Sequence, residues 1–501
     1  MVPATMLART AQFDAALRII AELRAAGYEA YLAGGCVRDL LLGREPKDYD
    51  VATSATPEVV LGLFPRTFAV GAHFGVVLVA STCGAADGAC GPQEEQAKPR
   101  FVLTEVATFR SDGAYSDGRR PDAVRYTLSA EEDVRRRDFT INGLLLDVGL
   151  LFPQGLKPIA SDSENVRAEA RTLQFQKDFR AAVIDHVGGL ADLEAGVVRA
   201  IGRAELRFEE DRLRMLRGVR FTARFSFALE AETAAAMRRL AAKTETVSRE
   251  RVRDELTRML TEGHARRAFE LLDETGLLAE VLPEVARMKG VGQPPQFHPE
   301  GDVWTHTLFL LDQLEAGCPL TLAWGALLHD VGKPPTFQRL DRIRFNGHVE
   351  VGAVMTAEIC RRFRFSNEET RQIVALVENH MRFMDAQRMK LATLKRFLRL
   401  EKFEEHLALH RMDCLAGSGY LENWEFVRER SLSMPEEAVR PRPLITGREL
   451  IAAGYRPAAS FREMLRAVED AQLEGAIGTA EEAMKLVRER FPASQGDFRM
   501  S

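Results

Sequence analysis

Asp48 and Asp50 stand one residue apart, shortly after the pair Gly34-Gly35. Alternate residues of a strand point to one side, so a strand through Asp48-Tyr49-Asp50 aims both carboxylates at one spot. Like charges that close repel unless a cation holds them, and Mg²⁺ takes oxygen ligands. The preceding run supplies what such a centre needs. Tyr31 to Ala33 reads as the end of a strand and Val37 to Leu42 as a short helix. Between them, Gly34-Gly35 reads as a turn whose amides can approach a phosphate. A phosphate cradle beside a dicarboxylate cation site is the equipment of nucleotidyl transfer. Singly, an Asp-x-Asp or a Gly-Gly is usually a solvated turn; order and spacing together point to chemistry.

Further residues extend this site. Glu105, in Thr104-Glu-Val-Ala-Thr-Phe-Arg110, sits on a segment that reads as a strand able to lie beside the aspartates. A third carboxylate completes a metal site or takes a proton from a ribose hydroxyl. Arg38 follows the glycines and offers charge to a triphosphate. Arg137, Asp138 and Asn142 fall within about one helical turn, with Asp138 and Asn142 on one face. A carboxylate and an amide there suit a ribose hydroxyl, and Arg137 suits phosphate. Asp211, Arg214 and Arg217 recur every three residues and project from one side of a helix. An aspartate accepts from an exocyclic amine and an arginine donates to a ring acceptor, the pattern that C and A share and that U and G reverse. An amphipathic helix with ion pairs is the plain alternative for that segment.

A second constellation is rich in histidine. It runs from His298 through His306, His329-Asp330, His348 and His380 to Asp413. Adjacent His and Asp offer nitrogen and oxygen to one metal, a mixture that suits Mn, Ni, Fe or Zn. Any one of these histidines alone is an ordinary polar side chain.

The run from Tyr31 to Thr53 resembles the head of the class II nucleotidyltransferases, the branch holding CCA-adding tRNA nucleotidyltransferases and bacterial poly(A) polymerases. Arg136-Arg-Asp-Phe-Thr-Ile-Asn142 resembles the same family, with Gly143 where Ala is usual, and so does Glu210-Asp-x-x-Arg214. Glu245 to Leu256 resembles its next helical motif, with Ser248 as an N-cap and Arg251 and Asp254 behind it. The resemblance implies nucleotide contacts at Gly35 and Arg38. The ordered histidine set is similar to the HD phosphohydrolase domain appended to some of these enzymes. That likeness implies one metal on His306, His329, Asp330 and Asp413, with His348 and His380 left for a second metal or a phosphate. Pro443 to Gly454 looks like the tail of long bacterial members.

The elements that must position these groups follow from pattern and length. A chain of 501 residues with 46% hydrophobic content holds several domains. The expected architecture is α+β: an N-terminal nucleotidyltransferase palm, with a small mixed sheet and helices, over 1–185. Insertions are expected near 81–100 and 151–180. An all-α neck and body over 186–290 would select the nucleotide and bind RNA. An all-α HD domain over 291–425 and a helical tail over 426–501 follow. Phe13 to Ala26 reads as a helix closed by Gly27, and Gly75 to Ala80 and Phe101 to Phe109 as strands. Arg110 to Asp122 reads as a polar loop and Leu128 to Leu146 as mostly helical.

No apolar run is long enough for a membrane span, no leader pattern opens the chain, and no membrane partner is expected. Six scattered cysteines without a Cys-x-x-Cys suit a reducing cytoplasm. The formal charge of −5 excludes a globally basic nucleic-acid binder, but arginine is dense between Arg199 and Arg258. The expected function is addition of CCA to tRNA from CTP and ATP, with Mg²⁺ at the first site and Mn²⁺, Ni²⁺ or another transition metal at the second. Poly(A), CC-only or A-only addition, and an HD phosphohydrolase on an RNA-binding scaffold, remain open alternatives. Oligomeric state is not legible.

Overall fold

The computed structural model describes residues 10–69, 75–82, 101–112, 124–151, 179–296, 298–339 and 341–492. The bodies of both expected insertions, Cys83, Cys90 and most of the loop expected over 110–122 lie outside the described residues. The fold divides into two units, residues 1–255 with 271–281, and residues 256–270 with 282–501.

The first unit opens on the helix Ala11–Ala25. Thr10 accepts the Phe13 N–H at its start, and Gly27 (φ +90°) turns the chain at its end. Phe13, Leu17, Ile20 and Leu23 bury its apolar stripe. Among the described residues nine strands follow: β1 Ala30–Ala33, β2 Val51–Thr53, β3 Thr67–Phe68, β4 Val76–Thr82, β5 Phe101–Thr108, β6 Arg110–Asp112, β7 Val124–Tyr126, β8 Leu144–Leu146 and β9 Val183–Asp185. Seven form one mixed sheet in the order β3-β4-β5-β2-β1-β8-β9, and β6 pairs with β7 as a separate hairpin. β2 runs parallel to β5 and antiparallel to β1, in registers Val51↔Val106 and Val51↔Leu32.

Two expectations need correction here. Asp48-Tyr49-Asp50 is not strand; β2 begins at Val51. β1 stops at Ala33 because Gly34 turns away, so the ladder ends with the Ala33 N–H donating to the Asp50 carbonyl at 3.0 Å. The alternation survives without the strand. Tyr49 is buried against Phe13, ring centroids 5.2 Å apart, while Asp48 is exposed and Asp50 half-buried.

Leu128 to Leu146 is not mostly helical either. It holds the short helix Ala130–Arg135, one 3₁₀ turn at Thr140–Asn142, and β8. Leu144, Leu145 and Leu146 are fully buried between β1 and β9. A three-residue apolar run reads alike in a buried helix and a central strand, and only the two partner strands decide it.

Beyond β9 the described chain is helical apart from two pairs of two-residue strands, Val197–Val198 with Ala228–Leu229 and Gln338–Arg339 with Ile343–Arg344. In the first unit a buried ion pair joins Arg220 Nε, on the helix Leu213–Phe225, to Glu255 Oε2, midway along the helix Arg249–Thr261, at 2.7 Å.

In the second unit Asp302 caps the helix Val303–Leu311 by accepting the Thr305 N–H at 2.8 Å. The helix Leu320–Leu328 lies deep in the core, with Trp324 fully buried. A Cβ on Gly332 would meet the His348 carbonyl at 2.0 Å, so glycine lets the helix His348–Arg362 pass directly against this turn. Downstream helices close two further cores, one around Phe383 and Phe397 and one around Leu450 and Val468. Among the described residues no helix is long and apolar enough to cross a membrane.

Candidate active site

Gly34 caps the helix Gly35–Leu41 at φ +73°, ψ −122°, a conformation side chains avoid. A Cβ there would also lie 2.9 Å from Arg137 Nη1, so a side chain would displace the tip of that arginine. One turn on, Arg38 is almost wholly buried. Its Nε and Nη2 donate to Asp39 Oδ1 at 2.8 and 2.7 Å, and its Nη1 donates to Asn142 Oδ1. Its guanidinium lies 4.6 Å from the Phe225 ring centroid, and burial lowers its pKa.

The three expected carboxylates sense one another. The parallel register of β2 on β5 brings Asp50 alongside Glu105. Burial, then Glu105, then Asp48 push the Asp50 carboxyl up to about 6. Burial and Asp48 raise Glu105. The repulsion recorded in these shifts is what a shared cation would relieve. The carboxylates are nonetheless looser than the metal-ligand triads described below, whose donor atoms lie within 4.8 Å of one another.

Asp50 borders a cavity of about 500 Å³ that also takes in Gly34, Gly35, Arg38, Arg137, Asp138, Asn142, Asp211, Arg214 and Arg217. Asp138 and Asn142 meet as expected, Asn142 Nδ2 donating to Asp138 Oδ1 at 3.0 Å, but across the 3₁₀ turn and not along an α-helix. Burial opposes ionisation of Asp138, yet Arg217, donating to Oδ2 at 2.8 Å, brings its pKa down to about 2.

Asp211, Arg214 and Arg217 do not share one helix. The helix Ala204–Glu210 ends at Asp211 (φ −143°, ψ 107°), and a new helix starts at Leu213. Asp211 starts it, its Oδ1 accepting the Leu213 N–H at 3.1 Å. A short polar side chain competing for backbone N–H groups breaks the helix there. All three side chains still reach the cavity, because the second helix carries Arg214 and Arg217 back over it.

Six cavity-lining residues were not among the expected nucleotide contacts: Arg136, Leu213, Arg220, Phe221, Arg224 and Arg251. Arg136 stands inside the Arg-Arg-Asp run, and for Arg220 and Arg224 the sequence signal is the density of arginine. Arg251, noted only within a helical motif, forms a two-pronged pair with Asp211, at 2.7 and 3.2 Å.

In the second unit the histidines converge. Among the described residues three groups offer ligand atoms within 4.8 Å of one another: His306, His329 and Asp413; Asp330, His348 and His380; and His298, Glu300 and His306. His306 Nε2 lies 3.0 Å from Asp413 Oδ1, and its Nδ1 lies 2.6 Å from Glu300 Oε1. Asp330 thus groups with His348 and His380, although its Oδ2 is 3.2 Å from His329 Nε2 and accepts from Lys333 Nζ at 2.7 Å. The His-Asp pair follows the helix Leu320–Leu328 and is not within it; His329 is its C-cap. Burial works against Asp330, but Lys333 and His329 bring its pKa far down. His329 Nε2, Asp330 Oδ1, His348 Nε2 and His380 Nε2 are buried atoms without a hydrogen-bond partner. Such atoms are costly unless something fills the space between them, and a divalent cation fits the donor set.

Known proteins carry the same three parts. Residues 30–156 match the family model of the Poly A polymerase head domain, 226–289 that of the probable RNA and SrmB-binding site of polymerase A, and 303–417 the HD domain. A CCA-adding enzyme of Lactobacillus johnsonii is 36% identical over 303 residues, 60% of this chain and 64% of its own. One of Geobacillus kaustophilus is 38% identical over 274 residues, 55% of either chain. The chain therefore spans less than two-thirds of the length of these relatives. A CCA-adding enzyme of Streptococcus thermophilus aligns nearly end to end, 30% identical over 484 residues, 94% of this chain and 96% of its own. The chain belongs to the CCA-adding enzyme family.

The fold agrees with family membership. The crystal structure of the Bacillus stearothermophilus CCA-adding enzyme in complex with CTP matches at a TM-score of 0.66 and 26% identity, over 96% of this chain and 98% of that one. A Thermotoga maritima CCA-adding enzyme complexed with tRNA shares the fold at a TM-score of 0.54 and 16% identity, over 97% of each chain.

Proposed function

We propose that this protein adds C, C and A to tRNA 3′ ends from CTP and ATP, choosing the base with side chains and no nucleic-acid template. The observation that carries the reading is the composition of one cavity, with Asp50 at one place on its wall and Asp211 and Arg214 at another. Mg²⁺ held by Asp48 and Asp50 would activate the 3′ hydroxyl and neutralise the leaving pyrophosphate. The terminal 3′ oxygen attacks the α-phosphorus, the bond to the β-phosphate oxygen breaks, and pyrophosphate leaves. Glu105 adds a carboxylate able to accept the hydroxyl proton. Arg38 and Arg137 face the phosphates, and Asp138 with Asn142 the ribose.

Asp211 accepts the exocyclic amine of cytosine or adenine, and Arg214 donates to the ring acceptor beside it. Arg214 Nη1 spends its two hydrogens on Glu210 and the Arg207 carbonyl, and Nη2 spends one on the Arg136 carbonyl. Its Nε–H and one Nη2 hydrogen are left for a base. A tRNA ending before its CCA, incubated with labelled CTP, ATP, UTP and GTP singly and together, tests the reading. Three added residues only with CTP and ATP together support it. Long adenylate tails, CC alone or A alone would identify the near relatives, and no addition refutes it.

The orphaned buried donors favour a second centre in the HD unit. There His306, His329 and Asp413 would hold one transition metal such as Mn²⁺ or Ni²⁺, and Asp330, His348 and His380 would offer a further site, for phosphoester hydrolysis. Metal analysis of the purified protein tests it; absence of bound Mn, Ni, Fe or Zn after supplementation refutes it. The free state of all four described cysteines suits a cytoplasmic protein.

A further inference from the structure

We propose that Asp133, which does not line the nucleotide cavity, is the positioning residue that sets both the phosphate-facing and the base-reading parts of it. The inference rests on the nucleotidyl-transfer reading and assigns a role to a residue outside every motif discussed above.

Asp133 lies in the short helix Ala130–Arg135 and is 1% exposed. Its Oδ1 accepts from Arg136 Nε at 3.0 Å and Nη2 at 2.6 Å, and the Arg110 N–H approaches it at 3.4 Å. Its Oδ2 accepts from Arg137 Nη2 at 3.0 Å. One carboxylate therefore carries two guanidiniums, three and four residues further along the chain. Their combined charge keeps it ionised: burial alone would raise its pKa, but Arg137 and Arg136 lower it.

Each arginine leads to a different part of the cavity, Arg137 by its guanidinium and Arg136 by its backbone carbonyl. Arg137 extends Nη1 to the Asn142 carbonyl at 3.4 Å, beside Gly34, and its charge opposes the upward shift of Asp50. Arg136 turns its own carbonyl to accept Arg214 Nη2 at 3.0 Å, which restrains the residue assigned to the base. Arg136 and Arg137 line the cavity and Asp133 does not. Without its charge, two arginines lose their common anchor and free rotamers compete with the bound arrangement. A charge-assisted bond to a buried group is worth about 1.5–3 kcal/mol, so nucleotide affinity should fall by roughly tenfold or more.

The test is steady-state addition by the full chain carrying Asp133→Asn, with CTP and ATP varied separately against a tRNA lacking CCA. Expected are a KM for each nucleotide raised roughly tenfold, an unchanged KM for tRNA, and kcat within about threefold of the parent. Asp133→Glu keeps the charge but displaces it, and should give an intermediate KM. In an Arg137→Gln background the further loss from Asp133→Asn should shrink, because the two act through one contact.

A folded Asp133→Asn protein with parental nucleotide KM overturns the inference, and so does full additivity with Arg137→Gln. Should Asp133→Asn fail to fold, a parental KM for Asp133→Glu overturns it. If the parent protein adds no nucleotide, the broader reading fails. Equilibrium binding of CTP by parent and variant then decides this inference alone, and equal or absent binding overturns it.

Discussion

Two buried histidines of the second unit should make this protein lose stability between neutral pH and pH 5. His406 and His410 lie one turn apart on the helix Phe403–Ala416 and are each 2% exposed. Neither ring nitrogen of His406 has a hydrogen-bond partner, and Arg382 repels a proton there. His410 stacks on Phe383, with ring centroids 4.2 Å apart. Burial first, with Arg382 adding at His406, lowers each from the ordinary 6.5 to about 4. A folded pKa below the unfolded one means that the unfolded chain binds more protons between the two values. Stability is therefore fully present above about 6.5 and falls as pH drops toward 4.

At pH 5 an ordinary histidine is nearly all charged, while one at about 4 is roughly one-tenth charged. The difference costs about 2 kcal/mol per ring relative to pH 8, hence about 4 kcal/mol for the two. Urea unfolding followed at pH 8 and pH 5 measures it. His406→Leu removes one titration and no hydrogen bond. It should match or exceed the parent at pH 8 and recover about 2 kcal/mol of the acid loss at pH 5. An identical pH dependence in parent and His406→Leu would refute the reasoning.

Four further outcomes follow from the nucleotide cavity and the HD unit. Asp50→Ala should abolish addition without unfolding the chain, and because burial and two neighbouring carboxylates push Asp50 up to about 6, the parent should need roughly fourfold more Mg²⁺ at pH 5.5 than at pH 7.5, read from Mg²⁺ titrations of addition. Asp211→Ala should relax the rejection of UTP and GTP by about 1–3 kcal/mol, measured as kcat/KM ratios, and unchanged ratios would move base selection elsewhere. Replacing His329 and Asp330 with Ala should remove bound transition metal while CCA addition continues, and loss of addition in a folded variant would show that the two sites are coupled.

The types and order of the chemical groups were legible in the chain. Gly34-Gly35 ahead of Asp48 and Asp50, the Arg-Arg-Asp and Glu-Asp-x-x-Arg runs, and the ordered histidines identify chemistry because ligand type and local spacing are properties of sequence. The helix over Ala11–Ala25 was legible too, since its apolar stripe and its Gly27 cap are local. Long-range pairing decided the rest. Leu144–Leu146 became a central strand because β1 and β9 flank it, and Asp48-Tyr49-Asp50 lost its pairing with β1 because β1 turns off at Gly34. Asp211 left the helix that its spacing suggested and still reached the cavity, since the following helix returns over it. Asp330 faces His348 and His380 across a turn where Gly332 packs against Gly352 and the His348 carbonyl. Periodicity specifies which face a residue takes on its own element; which elements that face will meet depends on packing between segments far apart in the chain.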